Sequence, residues 1–163
     1  MIRVRPGVAA DFPAIAAVER SAGALFAGTH MDWAVGELTD EADLAEAAQA
    51  NMLWVAECDG EIAGFLLAEG IDGDLHIWEL AVGRDRQRRG IGRKLVEVAL
   101  AEATERGFAA ATLTTDRTLA WNAPWYRGLG FRAFPSAEIP ARLAAQLASE
   151  PSPHQRCAMI REL

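Results

Sequence analysis

RDRQRRGIGRK, residues 84–94, gathers six positive charges and two glycines into the joint between a strand-like run, LHIWELAV (75–82), and a helix-like run, IGRKLVEVALAEATERG (91–107). Amides at the start of a helix have no acceptor within it, and the helix dipole is positive there. A turn bared by Gly90 and Gly92 and rimmed by arginines is therefore suited to an anion held on main-chain N–H groups. The chain as a whole is acidic, with a net charge of −7, so the reversal is local. One basic joint matches a small anionic ligand. A sequence-independent nucleic-acid binder would need a broad basic face, so no nucleic-acid partner is expected.

Ahead of the joint the pattern is a β meander. MLWVAEC (52–58) and EIAGFLLAEG (61–70) flank Asp59-Gly60, and a second Asp-Gly at 72–73 precedes LHIWELAV. This dipeptide favours tight hairpins because both residues tolerate positive φ. Earlier still come a β run at 2–5, a helix from about Asp11 with Pro13 in its first turn, and a second helix at 41–51 behind Thr39-Asp40. The loop FAGTHMDW (26–33) has no clear period.

After the joint, a helix at 91–106 sets Leu95, Val96, Ala99, Leu100 and Ala103 opposite Arg93, Lys94, Glu97, Thr104 and Glu105. Gly107 is placed to end it in a left-handed conformation. AAATLTT (109–115) reads as a buried strand, parallel to 75–82 if the helix is a crossover. Asn122 is placed to cap a short helix that has Pro124 in its first turn. A strand begins at Phe131, an amphipathic stretch covers 140–149, and a last β run covers 156–163.

The 163 residues are 51% hydrophobic, enough for one domain spanning 1–163 with its own core. No apolar run reaches membrane-spanning length and MIRVRPGVAADF lacks a secretory apolar stretch, so a cytoplasmic protein without a membrane partner is expected. Cys58 and Cys157 fit a reducing compartment and read as buried structural residues; Glu57 and Asp59 disfavour a thiolate at Cys58. The three histidines, at 30, 76 and 154, are far apart in sequence, so no metal is expected.

Gln87-Arg88-Arg89-Gly90-Ile91-Gly92 resembles the acyl-coenzyme-A signature of the GNAT superfamily of N-acetyltransferases, Gln/Arg-x-x-Gly-x-Gly/Ala. Leu80-Ala81-Val82 before the loop, Gly107 after the helix, and Asn122, Tyr126 and Gly130-Phe131 follow in that family's order. A Walker A loop would need Gly-Lys-Ser/Thr, whereas Gly92 is followed by Arg93-Lys94-Leu95; a dinucleotide fingerprint would need a third glycine where Leu95 stands. The resemblance implies an α/β (α+β) GNAT fold: a mixed, mostly antiparallel sheet of about seven strands with a splayed parallel pair, flanked by helices. It implies acetyl-CoA as cosubstrate, its pantetheine arm along the backbone of Leu80, Ala81 and Val82. Its diphosphate would lie on the amides of Gln87, Arg88, Arg89, Gly90, Ile91, Gly92 and Arg93, with Asn122 as a further contact. A homodimer is among the implied assemblies, since relatives are often dimers.

The implied reaction is direct attack, in a ternary complex, by a primary amine of a small molecule or peptide on the thioester. Tyr126 resembles the family's tyrosine at the thiolate, where a phenol of pKa about 10 donates a proton or hydrogen bond; a packed aromatic is the alternative. An alkylammonium titrates near ~10.4, so a base must take its proton. Strand alternation puts His76, Trp78 and Leu80 on one face and Ile77, Glu79 and Ala81 on the other. Relatives carry the base on the first face, which makes His76 the first candidate and Glu79 the second, reached through a bulge; a satisfied strand histidine is the alternative for His76. Asn122 serves as coenzyme contact, as helix cap, or as both. Phe26, His30, Trp33 and Trp78 are candidates for acceptor binding, with Glu19, Asp32, Trp121 and Trp125 also at hand, because carboxylates beside aromatics suit a cation. Trp33 and Trp125 also read as core. The competing function is a non-catalytic acyl-CoA-binding sensor or interaction module of the same fold.

Overall fold

Both Asp-Gly pairs turn the chain as their chemistry requires. Asp59 (φ 55°) and Gly60 (φ 80°) join β2 (Leu53–Cys58) to β3 (Glu61–Ile71), and Asp72 (φ 53°) and Gly73 (φ 84°) join β3 to β4 (Asp74–Val82). Two successive positive-φ residues give a turn whose twist matches that of the flanking strands. The computed structural model describes residues 1–163. Its remaining strands are β1 (Ile2–Pro6), β5 (Ala110–Asp116), β6 (Arg132–Ala133) and β7 (Arg156–Glu162), and the sheet order is β1-β2-β3-β4-β5-β7-β6. β4 and β5 are parallel, paired at Leu75↔Ala111 and His76↔Thr112; β1–β2, β2–β3, β5–β7 and β6–β7 are antiparallel. This is the mixed seven-stranded sheet with one parallel pair that the resemblance implied.

The chain divides into two compact units, Met1–Glu69 with Ile77–Glu102, and Gly70–His76 with Ala103–Leu163. The first holds α1 (Phe12–Gly23), α2 (Glu41–Gln49) and most of α3 (Ile91–Glu105). Its core includes Ile15, Val55, Phe65, Leu66, Leu95 and Ala99, all essentially inaccessible. Trp54 is also buried, and its indole N–H finds Glu102 Oε2 at 2.9 Å, which removes the cost of hiding a donor. The β2–β3 register shifts between Ala56 and Glu57, and beside that bulge Ala63 O accepts from Gly83 N at 2.9 Å, tying β3 to the end of β4. Gly64 permits this approach: a Cβ there would stand 2.9 Å from Ala81 O and 3.2 Å from Ile91 and Leu95.

The second unit carries the start of β4, β5, β6, β7, α4 (Ala123–Arg127) and α5 (Ala141–Ser149). Gly107 takes φ 82°, and Phe108 N bonds to Ala103 O, the left-handed helix end its position predicted. No helix is long and apolar enough to cross a membrane.

Candidate active site

The basic joint belongs wholly to the first unit and is held at three places. Arg84 N bonds to Ser21 Oγ at 2.8 Å, Gly83 N to Ala63 O, and the Gln87 side-chain amide donates to Val82 O at 3.2 Å. Arg86 reaches back to the β2–β3 turn, donating to Glu61 Oε2 at 2.7 Å and lying 3.5 Å from Asp59 Oδ2. Arg86 and the Gln87 side chain therefore shape the loop, while Arg88, Arg89 and Arg93 stand exposed around it.

Arg88 (φ 61°) and Gly90 (φ 81°) are both left-handed, which turns the backbone into the first turn of α3. Lys94 N–H bonds to Gly90 O at 3.0 Å, so the amides of Ile91, Gly92 and Arg93 precede the first α-helical bond and have no acceptor within the helix. A Cβ on Gly90 would meet no protein atom within 4 Å, so the space beside this glycine is open. Exposed arginines, an open glycine and unused helix-start amides are the elements of a diphosphate cradle. Leu80 and Val82 are half-buried and Ala81 buried at the end of β4.

In the second unit, Asn122 precedes α4 and its main-chain O accepts from Trp125 N and Tyr126 N. Its side chain makes no cap bond; the expected capping role falls to the backbone, because the side-chain amide is drawn to Thr115 Oγ1 at 2.9 Å. The other end of that amide is buried without a partner. Such a group is costly unless something bonds it. Tyr126 is 9% exposed, edge-on to Trp125 (5.0 Å between centroids) and Phe131 (5.7 Å). Tight packing sets its ring direction and leaves the phenol as its polar end.

His76, the first candidate for the base, is enclosed by the second unit. It is fully buried, shares a 2.9 Å hydrogen bond with Thr112 Oγ1, and has its pKa pushed down to about 4, mainly by burial and then by the Arg142 guanidinium of α5. An imidazole that weakly basic, and shut from water, is a poor acceptor for an ammonium proton. Arg142 also pairs with Asp74 (3.4 Å) and Asp72 (3.5 Å), and Gln146 and Thr114 both bond to Glu150, so α5 closes a polar network around this histidine. Glu79 is half-buried in β4.

Phe26, His30, Trp33 and Trp78 fall in the first unit, and Trp121 and Trp125 in the second. Phe26 is half-buried, His30 is exposed, and Trp33 (41%) and Trp78 (45%) are the most exposed of the four tryptophans read as candidates, so Trp33 is not core. Asp32 Oδ1 accepts from Gly28 N and shapes that loop. Glu19 is buried, with both carboxylate oxygens on Thr39 N (2.8 and 3.1 Å) and one on Thr39 Oγ1, so it tethers the far end of the α1–α2 connection. Burial raises its pKa, and the Thr39 bonds oppose the rise. Cys58 and Cys157 are buried and not disulfide-bonded, and burial pushes the Cys157 thiol up. No group of three or more His, Cys, Asp or Glu side chains is arranged to hold a metal ion. Ser21, Gly64, Arg86 and Thr115 were not legible as site residues; only Gly64, an interruption in an apolar strand, left a trace in sequence.

The sequence model described as "Acetyltransferase (GNAT) family" matches residues 19–131. "Probable N-acetyltransferase camello" from Xenopus laevis is 33% identical over 82 residues, 48% of this chain and 37% of that protein. The chain thus matches little more than a third of the length of this relative. Among solved structures, the PaiA N-acetyltransferase of Thermoplasma acidophilum in complex with coenzyme A superposes with a TM-score of 0.78 at 16% identity, covering 100% of this chain and 99% of that one. N-acetylglutamate synthase from Neisseria gonorrhoeae, complexed with coenzyme A and N-acetyl-glutamate, gives 0.77 at 19% identity, covering 100% and 35%. The ribosomal-protein-S18-alanine N-acetyltransferase of Escherichia coli gives 0.71 at 21%, covering 99% and 94%. These likenesses agree in fold, and the family match covers both the phosphate-type loop and the Asn122–Phe131 segment: the chain belongs to the acetyltransferase (GNAT) family.

Proposed function

We propose that the protein is an acetyl-CoA-dependent N-acetyltransferase that acetylates a primary amine of a small molecule or peptide by direct attack. The observation that carries the reading is the start of α3: Gly90 open to space at φ 81°, with the Ile91, Gly92 and Arg93 amides ahead of the first helical bond. That geometry fits the diphosphate of coenzyme A, with Arg88, Arg89 and Arg93 as counter-charges. Asn122 is the further coenzyme contact that the resemblance implies. Leu80, Ala81 and Val82 supply backbone for the pantetheine arm, and the bound coenzyme supplies the activated acetyl thioester.

Tyr126 donates its phenolic proton to the departing thiolate, its ring held by Trp125 and Phe131. Glu79 takes the amine proton, directly or through water, in place of the buried His76. Neither cysteine suits an acyl-enzyme route, because both are buried. The reading is tested by thiol release from acetyl-CoA against a panel of small amines, amino acids, polyamines and peptide N-termini. Amine-dependent release supports it. Coenzyme binding without release across the panel would favour a sensor, and absence of coenzyme binding by folded protein would overturn both.

A further inference from the structure

We infer that Trp78 and Glu69 form a cation subsite for the acceptor, and that the acceptor is an amine bearing a second positive charge. This subsite presupposes the acetyltransferase reading above and names the substrate class for it. β4 buries Leu75, His76, Ile77 and Ala81, yet Trp78 between them is 45% exposed. Nearly half of that indole's surface is left open to solvent. Its Nε1–H donates to Glu69 Oε2 at 2.9 Å, which fixes the ring edge and brings a carboxylate beside it. Both residues stand on neighbouring strands of one unit, so the pair is presented by sheet rather than by a loop.

An indole face with an anionic group at its edge attracts an ammonium twice, through the ring quadrupole and through charge. The net charge of −7 adds to the attraction at longer range. The nitrogen that attacks a thioester must be neutral, because an ammonium has no lone pair. A lasting cation site therefore serves a different nitrogen of the same molecule. Trp78 lies two residues ahead of Leu80, about 7 Å along the strand from the backbone proposed for the pantetheine arm. The held charge and the attacking nitrogen are thus several bonds apart, as in an α,ω-diamine.

The test is thiol release from acetyl-CoA with putrescine and cadaverine against n-butylamine and n-pentylamine. The diamines should show a kcat/KM about tenfold higher, the size expected when a cation–π contact and a partly exposed ion pair act together. Glu69→Gln and Trp78→Leu should each bring that ratio down to roughly one to three, mainly through the diamine KM, and Trp78→Phe, which retains an aromatic face, should keep part of it. Monoamines used equally well, or a ratio untouched by Glu69→Gln, would overturn the subsite. If no amine releases thiol, the acetyltransferase reading fails separately. The subsite is then judged by calorimetric titration of putrescine into coenzyme A-loaded protein: binding weakened by Glu69→Gln supports it, and no binding overturns it.

Discussion

Acidification from pH 7 to pH 4.5 should withdraw roughly 2–3 kcal/mol of folding stability through His76 alone. The folded ring titrates at about 4 against an ordinary 6.5, because burial disfavours the imidazolium and Arg142 adds repulsion, while Glu150 and a Gln146 hydrogen bond act in the opposite sense. Below pH 6.5 the unfolded chain takes up a proton that the folded chain refuses, so stability is complete above that pH and falls as the pH drops towards 4. Near 4 the folded ring protonates as well and the loss levels off. At about 1.36 kcal/mol per pH unit the whole window is worth about 3 kcal/mol, a large part of a domain stability of about 5–15 kcal/mol. Urea unfolding of the parent and His76→Gln across this range isolates the effect, since acid losses at Asp11 and Glu162 are common to both. The variant should be less stable at pH 7 and lose roughly 2 kcal/mol less on acidification. Equal acid slopes, or a native imidazole resonance titrating near 6.5, would refute the reasoning and reopen His76 as a base.

Tyr126→Phe should lower kcat by about 10²–10⁴-fold while acetyl-CoA affinity stays within a few-fold; matched losses in both would remove the acid role. Gly90→Ala meets no protein atom but forces alanine to φ 81°, so unfolding should show a cost of roughly 1–2 kcal/mol. Coenzyme A affinity, read by calorimetry, should also fall, and an unchanged affinity would place the diphosphate elsewhere. Gly64→Ala drives a methyl to 2.9 Å from Ala81 O and should cost about 1–3 kcal/mol in thermal unfolding; a neutral result would mean that β4 shifts freely there. Arg86→Gln should raise the acetyl-CoA KM a few-fold with kcat retained, because it loosens the loop through a partly exposed ion pair; a fall in kcat alone would contradict a shaping role.

The elements that local chemistry specifies were legible in the chain. Asp-Gly at 59–60 and 72–73, Gly107 and the apolar stripe of α3 each act within a few residues, and the strands and helices they delimit lie within a residue or two of expectation. The glycine-bared basic turn at the start of α3 was legible for the same reason, since glycines and basic side chains sit consecutively there. Strand alternation assigns His76 and Trp78 to one face, but the pattern of a strand says nothing about what covers each position. His76 lies under Arg142 and Gln146, about seventy residues later in sequence, whereas Trp78, two residues on, is exposed and bonded to Glu69. Asn122 has the composition of a helix cap, yet Thr115 competes for its side chain from the preceding strand. Charge count alone could not show that Arg86 is spent on Glu61 while Arg88, Arg89 and Arg93 remain exposed around the cradle. Backbone preferences and periodicity, being short-range, determined the elements and the glycine-arginine turn at the start of α3 from sequence; burial, partner choice and hence the protonation of His76 are properties of long-range packing, and only the tertiary structure decided them.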